Sequence, residues 1–197
     1  MRLSGPLVDN PDATLRALPG GRHHGVNRAM ISIRPEREAD GPLIEAVIQA
    51  AFADAPHTSG TEHTLVAALR HAKALSLSLV AQAESGLPIG HIAASPVAIS
   101  DQSPDWYGIG PVSVLPACQR QGIGSHLMHE ALAILRTRGA AGCVLLGDPA
   151  FYRRFGFEPS PKLVLTGVPA EYFLALPLHA THAQGVVTYH PAFGIET

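Results

Sequence analysis

Gln119-Arg120-Gln121-Gly122-Ile123-Gly124 carries the clearest chemistry in the chain, because it stands between a strand-like apolar run and an apolar stripe of helical period. The first N–H groups of a helix have no acceptor inside the helix and lie at the positive end of its dipole. Glycines there remove side chains that would hold an anion at a distance. Capture of an anion, a diphosphate above all, follows from those residue types at that spacing. Several glycine-rich loops share this logic, and two are excluded by their neighbours. A dinucleotide fingerprint needs a small residue where Leu127 stands, and a Walker loop needs a Gly-Lys-Ser/Thr run that does not follow.

Other reactive side chains are explained more simply. His126 and His129 fall at i, i+3 beside Glu130, a spacing that a metal could use. They lie opposite the Leu127, Leu132 and Leu135 stripe, so they read as a solvated face, and no metal site is expected. His23-His24 lies in a turn-rich stretch and is no better placed. Cys118 lies in the glycine-rich loop and Cys143 starts an apolar run. Neither is accompanied by a His and Asp constellation, so nucleophilic catalysis is not expected.

The elements that position the loop are legible from period and punctuation. Residues 1–29 are polar and turn-rich and read as a loosely ordered extension, with patterned sequence, and a candidate native start, at Met30. Ile31-Ser-Ile-Arg-Pro35 predicts a short strand. Asp40 as N-cap with Pro42 just inside predicts a helix whose stripe is Leu43, Ile44, Val47, Ile48, Ala51 and Phe52. Ser59-Gly60-Thr61-Glu62 matches a capping box opening a second helix that buries Leu65, Val66 and Leu69. Leu75–Val80 and Ile89–Ala94 predict a hairpin turning at Glu84–Pro88. Trp106–Leu115 predicts a strand in which Gly108, Gly110 and Pro111 impose a bulge. The loop then feeds a helix that buries Leu127, Met128, Ala131, Leu132 and Leu135, ends at Gly139, and returns as a strand at Cys143–Leu146, a βαβ unit. A short helix at Pro149–Phe155 and strand-like runs at Lys162–Leu165, Tyr172–Leu176 and Val186–Tyr189 complete the chain.

Gln/Arg-x-x-Gly-x-Gly after a bulged strand resembles the pyrophosphate loop of the GNAT superfamily of acyl-CoA N-acyltransferases. Leu146-Gly-Asp-Pro-Ala-Phe-Tyr152-Arg-Arg-Phe-Gly-Phe157 is similar to that family's Tyr-x-x-x-Gly-Phe segment, at the expected distance downstream. Gly90–Pro96, Gly110–Pro116 and Tyr189–Phe193 resemble its YhbS-like branch, so the likeness covers residues 30–193 as one domain. The resemblance implies an α/β (α+β) fold: a mixed, mostly antiparallel sheet split by the bulged strand and flanked by helices. It implies acetyl-CoA in the split, its pyrophosphate held along Gln119, Arg120, Gln121, Gly122, Ile123, Gly124 and Ser125, and its pantetheine arm paired with backbone at Val112, Ser113 and Val114. Arg120 is placed either on phosphate or in solvent. Tyr152 matches the tyrosine near the cofactor sulfur. A phenol of reference pKa about 10 is protonated at neutral pH and can donate to a departing thiolate.

One departure matters. Many relatives carry an Asn ahead of the tyrosine, where this chain has Gly147-Asp-Pro-Ala-Phe. Asp148 then reads as the cap of the short helix or as a substitute polar contact, with capping favoured. The acceptor amine must be neutral to attack, and the sequence singles out no base. Glu62, His91 and Asp101 are candidates, with Asp54–Gly60, the Asp101–Trp106 loop and the C-terminal strands expected to shape the acceptor site. A small-molecule, peptide or protein amine is the expected acceptor, in a ternary complex without a covalent enzyme intermediate. A non-catalytic acyl-CoA-binding module and a nucleotide-binding protein are the competing classes.

Charge and composition agree with this. Sixteen acidic and fourteen basic side chains give a net charge of −2, too little positive field for a nucleic-acid backbone. No stretch approaches the roughly 20 apolar residues that span a bilayer, and Gly5, Pro6, Asp9 and Asn10 interrupt any signal-peptide core. Two cysteines suit a reducing compartment, so a cytoplasmic location is expected. Exposed C-terminal strand edges make a homodimer an expectation as well.

Overall fold

The computed structural model describes residues 31–53, 62–180 and 182–194. The expected extension at residues 1–29, the capping box at Ser59–Thr61 and the Asp54–Gly60 segment lie outside them. Among the described residues no helix is long and apolar enough to cross a membrane.

Ser32–Pro35 forms β1, followed by helix α1 at Gly41–Phe52 with Pro42 in its first turn. Asp40 does not cap α1 through its side chain. Its carboxylate pairs with Arg34 at 2.6 and 3.0 Å and accepts from the Arg37 N–H at 2.7 Å, because an ion pair and a backbone donor lie within reach on the preceding turn. Helix α2 is Glu62–His71. Strands β2 (Leu77–Gln82) and β3 (Pro88–Pro96) form the expected hairpin, β2 displaced two residues from its predicted place. The short β4 (Ala98–Ile99) precedes β5 (Trp106–Val114). Helix α3 (Ile123–Thr137), β6 (Gly142–Leu146), the short α4 (Pro149–Tyr152), β7 (Glu158–Pro159), β8 (Leu163–Val164), β9 (Phe173–Pro177) and β10 (Gly185–Thr188) follow.

The main sheet has the order β1-β2-β3-β5-β6-β9-β7. Of its pairs only β5 with β6 is parallel, the pair joined by α3. A second sheet, β4-β10-β8, lies apart. The bulge falls where glycine and proline placed it: Ile92 stands opposite Val112 but Ala94 opposite Ile109, so β5 holds one residue more than β3 around Gly110-Pro111.

Each face of the sheet has its own cover. On the first, Leu77, Leu79, Ile92, Cys143 and Leu145 pack under the α3 stripe of Leu127, Met128, Ala131, Leu132 and Leu135, all at 4% exposure or less. On the second, Val80 and Ala93 pack under Ile44 and Ile48 of α1 and Val66 of α2. Further along that face Trp106, Val144 and Phe173 pack with Leu163 and Val187 from the small sheet and with Tyr189 just after β10. A Cβ on Gly108 would stand 2.3 Å from the Tyr189 ring, so the glycine is what lets that ring lie on β5.

Candidate functional site

The glycine-rich loop is built by three short departures from regular structure. Leu115 N–H donates to Ile89 carbonyl at 2.9 Å and ends the β3–β5 ladder, and Pro116–Cys118 turns once as a 3-10 helix. Arg120 (φ 60°) and Gly122 (φ 84°) are left-handed, a conformation that costs glycine nothing and swings the chain into α3. The first bond into α3 is His126 N–H to Gly122 carbonyl at 3.0 Å. The N–H groups of Ile123, Gly124 and Ser125 therefore have no acceptor within the helix.

Gly124 has ordinary helical backbone. A Cβ there would meet Phe151 at 3.7 Å and Val114 at 3.8 Å, both comfortable contacts, so folding does not demand glycine at this position. The same contacts show that the end of β5, the start of α3 and α4 converge at Gly124. The side chains of Gln119 and Gln121 brace the loop from within, donating to Val114 carbonyl at 3.1 Å and Ala117 carbonyl at 3.3 Å. Gln119 N–H also turns inward, to Pro116 carbonyl at 3.3 Å. Arg120 is exposed.

Beside the loop the sheet opens. β5 pairs with β6 only over Trp106–Gly108 against Gly142–Val144, so among the described residues Ile109 to Val114 has β3 on one side and no strand on the other. Val112 and Val114 are half-buried at this free edge, and Ser113 between them is buried toward the second face.

Tyr152 is the last residue of α4, which follows β6. Asp148 caps that helix, its carboxylate accepting from Ala150 N–H at 2.8 Å, which is the favoured of the two readings for this residue. The Tyr152 ring lies against Gly147, where a Cβ would stand 2.2 Å from its Cε2, and edge-on to Phe151 and Phe157 with centroids at 4.9 and 6.2 Å. Burial, and next the negative charge of Asp148, push the phenol up to about 12, so the hydroxyl keeps its proton across the neutral range. We expect Gly147→Ala to cost about 1–3 kcal/mol by overpacking and to displace the ring. Chemical unfolding and near-ultraviolet circular dichroism measure both, and unchanged spectra and stability would refute the packing described.

Of the three candidate bases, Asp101 is engaged in structure: its two oxygens accept from Ser103 N–H at 2.9 Å and Gln184 N–H at 2.8 Å. Glu62 begins α2. His91 is fully buried on the second face, within a chain of polar groups that sequence reasoning missed. Arg70 Nε donates to Glu36 Oε1 at 2.6 Å, Ser78 Oγ donates to Glu36 Oε2, and Ser78 Oγ lies 2.8 Å from His91 Nε2. Burial, outweighing the nearby Glu36 carboxylate, lowers His91 to about 4. Glu36 is raised by burial but more than compensated by hydrogen bonds from Arg70 and Ser78, and it sits below the usual carboxylate range. The available signal was the polar Ser78 inside a Leu-Ser-Leu-Ser-Leu alternation. Alternation gives the face but does not say that two helices cover it. Both thiols are buried and raised by that burial, Cys143 to about 12, which leaves neither as a thiolate at neutral pH. His126 and His129 are exposed, and the described residues contain no cluster of three or more metal-ligating side chains.

A sheet opened at a bulged strand, with helix amides lacking an intrahelical acceptor beside the opening, is suited to hold an anionic ligand. The acetyltransferase (GNAT) domain pattern matches residues 74–159. The chain is 40% identical to the uncharacterised N-acetyltransferase YhbS of Escherichia coli K12 over 126 residues, 64% of this chain and 72% of that protein. Its structure superimposes on a GNAT family acetyltransferase of Brucella melitensis in complex with acetyl-CoA (48% identity, 83% of this chain, 97% of that one, TM-score 0.74). It also superimposes on Escherichia coli YhbS in complex with CoA (34% identity, 84% of this chain, 92% of that one, TM-score 0.78). The chain belongs to the GNAT acetyltransferase family.

Proposed function

We propose that the protein moves an acetyl group from acetyl-CoA to a primary amine by direct attack in a ternary complex. The observation that carries this is the convergence at Gly124. Three helix amides with no acceptor inside α3 stand where Val114 of β5 and Phe151 of α4 both come within contact distance, and glycine stands where packing alone would accept a side chain. The two superimposed relatives solved with acetyl-CoA and CoA support the same ligand. Amides from Gln121 to Ser125 receive the diphosphate, while the Gln119 side chain keeps the loop folded. Backbone at Val112, Ser113 and Val114 pairs with the pantetheine arm, since it has no other strand on that side. The thioester supplies an activated acyl carbon, and the Tyr152 hydroxyl gives its proton to the thiolate as it departs.

The test is calorimetric titration with acetyl-CoA, with ATP and NAD as controls, followed by an amine panel on wild type and Tyr152→Phe. Acetyl-CoA should bind with micromolar affinity and the two nucleotides should not displace it. Tyr152→Phe should retain that affinity and lose kcat by about 100-fold, the lower end of what a general acid contributes. Binding without turnover on any amine would favour a non-catalytic acyl-CoA module, and displacement by ATP or NAD would favour a nucleotide-binding protein.

A further inference from the structure

β6 runs two residues past its last pair with β5. Leu145 and Leu146 stay paired with β9, opposite Leu174 and Phe173, while among the described residues their other edge faces the opening. Residues along a strand alternate between faces, and residues opposite each other on neighbouring strands share one. Cys143 and Leu145 pack under α3 on the first face, and Val144 packs with Phe173 on the second, so Leu146 projects to the second face. It is 40% exposed there, whereas Val144, Leu145 and Phe173 are at 3% or less.

The first face at this end of the sheet is already taken. α3 covers it, and Val112, Val114, Phe151 and Tyr152 all pack against the cluster beneath α3. The Tyr152 ring lies on Gly147, the residue after Leu146. A nucleophile that reaches a thioester lying along Val112–Val114 therefore comes from the second face, where Leu146 ends β6. Its neighbours on that face, Val144 and Phe173, offer no side-chain hydrogen bond.

We propose that Leu146 is a specificity-determining residue: it is the apolar wall against which the carbon skeleton of the acceptor lies, so the acceptor is a primary amine with an uncharged, apolar substituent. This rests on the acetyl-transfer reading above. An apolar substituent takes the exposed part of Leu146 out of water, whereas a second ammonium or an amide group placed there loses hydration without gaining a partner. Desolvation against such a wall also lowers the pKa of an ammonium, which favours the neutral amine that attacks.

The experiment compares wild type, Leu146→Asn and Leu146→Met in the full chain, with 2-phenylethylamine and isopentylamine against spermidine and glycinamide. Wild type should use the two apolar amines with kcat/KM about tenfold above the other two, the scale of one apolar contact. Leu146→Asn keeps most of the side-chain volume and removes its apolarity. It should raise KM for the apolar amines by about fivefold, the worth of the part of a leucine that is still exposed, with kcat, acetyl-CoA affinity and the polar amines unchanged. Leu146→Met should behave as wild type. A wild-type preference for spermidine or glycinamide, or an equal loss on all four amines in Leu146→Asn, each overturn the proposal. Calorimetric titration of 2-phenylethylamine into CoA-saturated protein reads the same wall without turnover. The amine should bind wild type about fivefold more tightly than Leu146→Asn, and equal or undetectable binding in both overturns the proposal. If acetyl-CoA binds but no amine is acetylated, the transfer reading fails while this titration still decides the role of Leu146.

Discussion

Gly124→Glu is expected to leave the fold intact and to weaken acetyl-CoA binding by on the order of 1,000-fold. The fold should survive because a Cβ at this position meets Phe151 and Val114 at 3.7 and 3.8 Å, ordinary contact distances, and the backbone is already helical. Binding should fail because a carboxylate would stand in front of the amides of Ile123, Gly124 and Ser125, where a diphosphate must come. Two like charges at about 4 Å repel by about 4 kcal/mol at the effective dielectric of a protein surface, and each 1.4 kcal/mol is about tenfold in affinity. Gly124→Ala separates bulk from charge. It should match or slightly exceed wild-type stability, since alanine is favoured over glycine in a helix by up to about 1 kcal/mol, yet bind acetyl-CoA less tightly. Calorimetry and thermal unfolding on the same three proteins measure both quantities. Wild-type affinity in Gly124→Glu would place the anion elsewhere.

The protein should also lose about 3 kcal/mol of stability as the pH falls from about 6.5 to about 4, through His91 alone. Its imidazole is lowered from 6.5 to about 4 by burial, so between those values the unfolded chain binds a proton that the folded chain cannot. Stability therefore decreases as pH decreases through that window, by about 1.4 kcal/mol per unit of difference. The charged groups facing the ring are Glu36 and Arg70, with Ser78 Oγ as its polar neighbour, while Ser113 Oγ donates to the His91 carbonyl. Glu36 and Asp40, both held low, contribute with the same sign as pH falls through their own lowered values. His91→Leu isolates the imidazole: urea unfolding at about pH 7 and about pH 4.5 should show a smaller loss in the variant than in wild type. Equal losses would mean that His91 takes up its proton in the folded protein.

The strand, loop and helix around Gly122 were legible because everything that makes them is local. Gly110-Pro111 breaks a ladder, Gly122 accepts a left-handed turn, and Leu127 to Leu135 repeat at helical spacing, all within one stretch of chain. Element ends were less so, as β2 shows by starting at Leu77 instead of Leu75, since neighbours decide where a ladder begins. The two-residue strands β4 and β7 were not anticipated, being too short to carry a period.

The amino-acid order by itself determined which residues share a face and where the chain must turn, and so the candidate anion loop and the helix behind it. It also placed Tyr152 on a short capped helix. What covers each face was decided only in three dimensions. Ser78 on β2 and His91 on β3 lie on the face that α1 and α2 cover, which alternation along either strand does not reveal. Asp101 reads as a candidate base until Gln184, far along the chain, donates to it. Asp40 reads as a cap until Arg34 is seen beside it. Periodicity is a property of neighbours in sequence, whereas burial and proton ownership depend on groups that the fold brings together from far apart.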